Sequence, residues 1–430
     1  MIIKKVEKIE KELRVPSDKS ISHRSVMFGA LASGTSYVKN WLVAEDTLAT
    51  LDIFRKLGID IRRENNTLEI KGGKEYFKEP QDILDAKNSG TTARITSGIL
   101  AGFNFFSVLT GDDSLKKRPM KRITRPLSLM GATIIGREDA SLLPIAIKGG
   151  DLIGGTFENK EASAQVKSCI LLAGFLAKEN TITEVIEPYI SRDHTERMLS
   201  SMGANITIIS NDKYIVKIKA GGELSPIDID VPADPSSAAF IAALAMLTKD
   251  SYVLLKDVLI NPTRDGFFRK AKDMGANINY INKRHQNGED IADIEVRYSP
   301  NLKAISIDEK DVPSLIDEIP ILSVLMCFAE GISLVKGAKE LRKKESDRIR
   351  AIYVNLKNAG AIIEEFEDGF SIKGPCKLKL KEIKSFKDHR IAMSMSILGM
   401  VLGTEPELDD PSCVSISYPN FFQDIYSQSF

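Results

Sequence analysis

The sequence predicts an α/β protein of six related subdomains, grouped as two domains of three, with helices inside and sheets outside. Three observations carry this. A glycine-centred phrase recurs as LGIDI at 57–61, MGATI at 130–134, MGANI at 202–206 and 274–278, and AGAII at 359–363, in steps of 73, 72, 72 and 85 residues. A polar cluster opening an apolar run recurs as DKSISHR at 18, NSGTTAR at 88, EASAQVK at 161, DPSSAAF at 234, DEIPILS at 317 and DHRIAMS at 388. The period of about 70 residues exceeds the ~20–50 of stacked solenoid repeats, so each unit is a small subdomain and not a rung of a rod. Finally, the run after each cluster is apolar nearly all round, and such a helix needs burial on every side. Three of them can bury one another.

The elements follow in a fixed order. In the second unit, ILDAK at 83–87 reads as a short strand. NSGTT suits a helix N-cap, and ARITSGILAGF has helical apolar spacing. FFSVLTG is β-rich and ends in glycine. MKRITRPLSLMG reads as an amphipathic helix stopped at Gly131, and ATIIG opens the next strand. Pro126 predicts that this helix starts near Arg125 or is kinked there. The later units repeat the pattern with SAQVKSCILLAGFLA and RDHTERMLSSMG, PSSAAFIAALAML and RDGFFRKAKDMG, then IPILSVLMCFAEG and SDRIRAIYVNLKNAG. The phrase order puts a domain boundary near IDIDVPAD at 227–234. The strand KKVEKIEKELRV precedes the first unit and is assigned to the last three, giving domains of 16–230 and of 1–15 with 231–430, and two crossings of the chain.

Composition narrows the function. The 430 residues hold 43% hydrophobic and 27% charged residues, and Lys+Arg and Asp+Glu both count 59. A chain with no net charge lacks the basic excess of a general nucleic-acid or anionic-membrane binder, so neither partner is expected. Cys169, Cys327, Cys376 and Cys413 form no CxxC and no metal-like spacing with the four histidines. Three of them sit in or near apolar runs and read as inert reduced thiols. MIIKKVEKIEKE has no apolar stretch of signal-peptide length, and the runs at 236–247 and 319–329 are too short to span a bilayer. A reducing cytoplasm is the expected setting.

The polar clusters hold more charge than capping requires. Lys19 and Arg24 flank Ser20 and Ser22; Arg94, Arg118, Lys167, Arg192, Lys344, Arg348 and Arg390 follow in the later units, with Asp46, Asp317, Glu345 and Asp388 among them. Helix N-termini carry about half a positive charge and unpaired N–H groups, and Arg holds phosphate or carboxylate bidentately. If the domains face each other, up to six such ends meet around a ligand set with several negative charges. The mixed carboxylates add proton transfer or hydroxyl recognition. Each Arg alone is most simply a surface ion pair of little energy; the shared repeat position of Lys19, Arg94, Arg118 and Arg390 argues for a common task. No GxxxxGK[ST] or GxGxxG spacing is present, which argues against a nucleotide enzyme. His23 reads as a capping or core residue, His389 as the better candidate base, and Trp41 as core.

VPSDKSISHR, NSGTTAR, KRPMKR, ASAQVKS, EPYISRDH, DEIP at 317–320, KESDR and DHRIAM together resemble, in order from about 15 to 420, the motif series of the 5-enolpyruvylshikimate-3-phosphate synthase family. RPM, SAQVKS and EPxxxRDHTE resemble its second sequence class, which includes glyphosate-tolerant members. The resemblance implies two domains of three βαβαββ units, an inside-out α/β barrel architecture, closing on substrate. It implies a cytoplasmic, monomeric transferase that joins shikimate 3-phosphate to phosphoenolpyruvate, releases phosphate, and uses no metal or organic cofactor.

By the same resemblance, Lys19 contacts both substrates and is a proton-donor candidate. Ser20, Arg24, Ser163, Gln165 and Arg192 hold shikimate 3-phosphate, with Ser163 and Arg192 on its phosphate. Asn88, Ser89, Gly90, Thr91, Arg118, Gln165, Arg348 and Arg390 surround phosphoenolpyruvate. Asp317, aided by Lys344, accepts the proton of the attacking hydroxyl, and Glu345 is the acid/base at the methylene carbon. Two departures stand out. Ile416 lies about where one class of the family has a substrate-touching Lys, so no basic ligand is assigned there. Gly90 lies where some tolerant members carry alanine; a glycine leaves room for a larger mimic, which argues against tolerance. The sister transfer to UDP-N-acetylglucosamine fits less well, because that family has Lys-Asn where this chain has Lys19-Ser20 and a cysteine in the loop matching 111–122, where this chain has none. A repeat-built binding scaffold is the non-enzymatic alternative.

Overall fold

In the computed structural model, which describes residues 1–427, the chain forms two compact units, Ser17–Val231 and Met1–Pro16 with the chain from Pro232 onward. The last three residues of the expected 231–430 span lie outside the described residues.

The Ser17–Val231 unit holds three four-stranded sheets. In sheet order they are Asp228–Asp230, Gly34–Lys39, Thr67–Gly72 and Asp60–Glu64; Leu84–Asp85, Phe106–Thr110, Leu142–Lys148 and Thr133–Gly136; and Thr156–Glu158, Ile182–Glu187, Tyr214–Lys219 and Ile206–Ser210. In each, the first strand pairs parallel with the second, and the other pairings are antiparallel. In the second and third sheets the chain between the parallel strands is a crossover that carries an apolar helix, Gly90–Ala101 or Ala164–Phe175, whereas in the first Asp228–Asp230 returns from the end of the unit to pair with Gly34–Lys39. Alternate residues such as Leu143, Ile145 and Ile147 are buried, so each sheet has one covered face. The second unit repeats the plan with Glu10–Leu13, Tyr252–Leu259, Glu289–Arg297 and Asn277–Gln286, and with Ser306–Ile307, Gly331–Val335, Gly369–Gly374 and Ile362–Phe366. The sixth subdomain is abbreviated. Among the described residues its sheet is the pair Glu382–Ile383 and Glu407–Leu408, extended by a bridge from Ile2 to Glu407. Among the described residues, no sheet closes into a barrel.

The first helices are Lys19–Leu31, Gly90–Ala101, Ala164–Phe175, Pro235–Leu247, Ile319–Phe328 and His389–Leu402. Every residue of Pro235–Leu247 except Leu247 is buried. Helices Gly90–Ala101 and Ala164–Phe175 run side by side in one direction. Gln165 bonds Thr91 at their starts, a Cβ on Gly98 would lie 2.2 Å from the Cys169 carbonyl, and one on Gly102 would lie 2.4 Å from Leu176. In the other unit, Ile319–Phe328 packs on both Pro235–Leu247 and His389–Leu402.

The repeated glycine phrase has a backbone cause. Gly58, Gly131, Gly203, Gly275 and Gly360 end the amphipathic helices at φ of +97°, +119°, +97°, +91° and +94°. This left-handed cap is open to glycine at little steric cost. Of the two alternatives for Pro126, a start near Arg125 is corrected: the helix Lys121–Met130 starts ahead of Arg125 and carries Pro126 in its interior. It is held by burial of Ile123, Thr124, Leu127 and Met130. No described helix is long and apolar enough to cross a membrane.

The cysteines divide into two kinds. Burial raises the thiols of Cys169 and Cys413, and Cys327 is raised by donating to Cys376 and by burial. Cys376 is half-buried, and the Cys327 thiol pulls its pKa down to about 6. Alkylation should therefore modify Cys376 first, with a rate that rises as pH passes through about 6. Peptide mapping that finds Cys169, Cys327 or Cys413 labelled first in the folded protein would contradict this.

Candidate active site

Each unit gathers part of the sequence-derived set at its helix starts. In the Ser17–Val231 unit, Asp18, Ser89 and Ser163 stand at the three N-caps. Asp18 accepts the Ile21 N–H at 2.7 Å, and Ser89 accepts that of Thr92 at 3.1 Å; Ser163 makes no side-chain cap bond. Lys19 opens its helix, and its ammonium lies 3.0 Å from Asp46. Arg94 donates to Gln165 at 2.6 Å and Arg118 to Asn88 at 2.8 Å, while Gln165 donates to Thr91 at 3.0 Å. The backbone permits this crowding because position 90 has no side chain. A Cβ on Gly90 would lie 2.8 Å from Nη1 of Arg94 and 3.5 Å from Nη1 of Arg118. Two nearly buried guanidiniums beside a helix N-terminus can attract an anion by their charge and by the dipole of that terminus.

Arg24 is placed differently from a surface ligand. It is 3% exposed and donates to Thr195 and Ser168, both at 2.8 Å, and to the Ser20 carbonyl at 3.1 Å. It thus ties its helix to the helices Ala164–Phe175 and His194–Ser201. Arg192 is half-exposed on the loop before His194. His23 is fully buried against the Thr50 hydroxyl; burial, then Lys19 and Arg24, keep its pKa well below the ordinary value, so it is neutral. Trp41 is core and donates to the Ser22 carbonyl.

In the other unit the acids dominate. Arg348 opens the helix Arg348–Asn358 and is 1% exposed. It donates to Asp388 at 2.8 Å, to Asp317 at 3.0 Å and to Glu345 at 2.6 Å. Lys344 lies 3.5 Å from Asp317. Asp388 caps its own helix by accepting the Arg390 N–H at 2.9 Å, and also accepts from Ser346. His389, the expected base, is buried in the first turn of that helix. Arg390 reaches to 3.8 Å from Glu318.

Glu318 is a residue that the sequence reading passed over. It is 1% exposed, bonds Ser236, and so links the starts of all three buried helices in its unit. Its signal was present in DEIP, where only the first acid was assigned. The buried trio Lys167, Glu187 and Glu196 was likewise unread as a trio, although EPYISRDHTE carries both acids. Ile416, at the place of the missing Lys, packs against the core. Among the described residues, no group of three or more His, Cys, Asp and Glu side chains is placed to hold a metal.

Taken each by itself, the helix ends of the Ser17–Val231 unit are suited to attract anions and those of the other unit to move protons. The family described as EPSP synthase (3-phosphoshikimate 1-carboxyvinyltransferase) matches residues 3–425. The chain is 57% identical over 422 residues to the 3-phosphoshikimate 1-carboxyvinyltransferase of Persephonella marina, covering 98% of this chain and 97% of that one. It is 54% identical over 424 residues to that of Aquifex aeolicus, covering 98% of each. Among solved structures, EPSP synthase from Acinetobacter baumannii superposes with a TM-score of 0.85 at 42% identity, covering 98% of this chain and 96% of that one. The enolpyruvyl transferase NikO from Streptomyces tendae, at 15% identity and a TM-score of 0.73 over 99% of this chain and 96% of that one, shares the fold. The chain therefore belongs to the EPSP synthase family.

Proposed function

We propose that this protein transfers the enolpyruvyl group of phosphoenolpyruvate to the 5-hydroxyl of shikimate 3-phosphate and releases phosphate, a step of the shikimate pathway to aromatic amino acids. The observation that carries the reading is the set of three carboxylates, Asp317, Glu345 and Asp388, gathered on one buried guanidinium beside Lys344. Addition requires a proton on the methylene carbon of phosphoenolpyruvate and removal of one from the attacking hydroxyl. Asp317, with Lys344, is assigned the second task. Glu345 is assigned the first, with Lys19 as the other donor candidate. The hydroxyl oxygen bonds to the central carbon, giving a tetrahedral intermediate. Loss of a methyl proton to the same acid/base then re-forms the double bond as the carbon–oxygen bond to phosphate breaks. Cations are needed where the charge of that leaving group grows.

Arg118, Arg348 and Arg390, with Lys19, Asn88, Gly90, Thr91 and Gln165, are assigned to phosphoenolpyruvate. Lys19, Ser20, Arg24, Ser163, Gln165, Arg192, Asp317 and Lys344 are assigned to shikimate 3-phosphate. N-terminal dipoles and Arg side chains offset the repulsion between two anionic substrates. The reading includes a cytoplasmic monomer with no cofactor and with neither nucleic acid nor membrane as partner, supported by the balanced charge and free thiols.

A phosphate-release assay tests it. Release should require both substrates; release with UDP-N-acetylglucosamine in place of shikimate 3-phosphate would transfer the reading to the sister enzyme. Arg118→Ala should fold and raise the KM for phosphoenolpyruvate about 10-fold or more, since it deletes a charge-assisted pair of donors. An unchanged KM would remove Arg118 from the site. Gly90→Ala should push the Arg94 guanidinium aside and raise the same KM while weakening inhibition by glyphosate; unchanged inhibition would show that the added methyl does not reach the site.

A further inference from the structure

The conspicuous charge cluster without an assigned task is fully buried in the Ser17–Val231 unit. Lys167, Glu187 and Glu196 have side chains with no exposure, and the Lys167 ammonium lies 3.0 Å from Glu187 and 2.7 Å from Glu196. Burying three such groups is costly, and replacing them by apolar residues is often neutral or stabilising, so stability alone is a weak reason for their presence. Burial also raises the carboxyl of Glu196, whereas Lys167 is held above its ordinary value by the two glutamates against the cost of burial.

The bonds of Glu187 show what the cluster holds. Glu187 ends the strand Ile182–Glu187. Its carboxylate accepts from the Asn159 amide at 2.6 Å, from the Ser191 N–H at 3.2 Å and from the Ser191 hydroxyl at 2.7 Å. Lys167 takes the Ser191 carbonyl at 3.3 Å, so every polar group of Ser191 is engaged. Asn159 in turn grips position 163 from both sides: it donates to the Ser163 carbonyl at 2.9 Å and accepts the Ser163 N–H at 3.3 Å. One carboxylate therefore fixes two separate loops. One loop ends at Ser163; the other contains Ser191 and continues directly into Arg192.

We infer that Glu187 is a positioning residue that sets Ser163 and Arg192, through Asn159 and Ser191, at the spacing a phosphomonoester requires. The inference rests on the assignment of those two residues to the phosphate of shikimate 3-phosphate. It adds that the specificity of the site for a phosphorylated over a plain polyol acid is built into the buried network. A hydroxyl and a guanidinium on independent loops would otherwise meet the same phosphate only after ordering both, and pre-ordering removes that cost from binding.

Glu187→Gln keeps the shape and the acceptor oxygen but removes the charge, leaving Lys167 with Glu196. Asn159→Ala cuts only the link to Ser163. Both should raise the KM and Kd for shikimate 3-phosphate by about 10-fold or more, while kcat at saturation and the KM for phosphoenolpyruvate stay within about 3-fold. Binding of unphosphorylated shikimate, measured by titration calorimetry, should be unchanged in both. The double variant should lose less than the product of the single losses, because the two act through one chain of bonds. Wild-type KM for shikimate 3-phosphate in folded Asn159→Ala would overturn the proposal, as would an equal loss for shikimate with and without its phosphate. Failure of the underlying reading looks different: wild-type protein would then bind shikimate 3-phosphate no better than shikimate, and Ser163→Ala and Arg192→Ala would change nothing.

Discussion

Arg348→Ala should lose about 3–5 kcal/mol of stability, the usual penalty for breaking a buried ion cluster by removing one partner. The reason is arithmetic of charge. Arg348 is 1% exposed, and Asp388, Asp317 and Glu345 all lie within 3.0 Å of its nitrogens. Burial works against its charge, and Asp388, Glu345 and Asp317 outweigh burial, so its pKa sits above the ordinary value. Without it, Asp388 is a completely buried acid facing two more, with Lys344 the cation beside Asp317. Urea unfolding at pH 7 measures the loss. Arg348→Lys should recover little, since a single ammonium cannot span three carboxylates as a planar fork does. A loss below about 1 kcal/mol at pH 7, the size of an exposed pair, would show that the cluster is not holding the helix starts together.

Glu345→Gln is expected to separate turnover from folding. Its amide oxygen can still accept from Arg348, so the stability change should stay within about 1 kcal/mol. Loss of a general acid/base costs typically about 10²–10⁴-fold in rate, and kcat for phosphate release should fall by that order with modest change in either KM. Wild-type turnover in the folded variant would remove Glu345 from proton transfer and leave Lys19 as the remaining donor candidate.

Much of the scaffold was legible because it is written in backbone chemistry. Five glycines at +91° to +119° had to recur wherever an amphipathic helix turns into a strand, and Asp18, Ser89, Asp234 and Asp388 cap the helices that their spacing predicted. The abbreviated sixth sheet was not legible from those signals, since its first helix is as well capped as the others. The charges were harder. Arg24 and Arg94 close the corresponding phrases DKSISHR and NSGTTAR, and Arg118 lies instead in the loop ahead of an amphipathic helix; yet Arg24 is bonded to hydroxyls of two neighbouring helices while Arg94 donates to Gln165 beside Gly90. A sequence records that an Arg sits near a helix start; which side chains its fork engages depends on residues more than 140 positions away, such as Ser168 at a separation of 144. Glu187 shows the same limit, because its importance lies in holding Ser191 and Asn159, neither of which carries a charge.

The strand Glu10–Leu13 lies beside Tyr252–Leu255 in its sheet. A ribosome that has emitted the first of these must translate a further 242 residues before the partner of Glu10 exists, on the order of 10–50 s at ~5–20 residues per second. Throughout that interval an entire contiguous unit, Ser17–Val231, is free to finish folding, while the leading strand waits with its edge unpaired. Synthesis order thus makes one unit early and the other necessarily late, and the late one is where premature association between nascent chains would start.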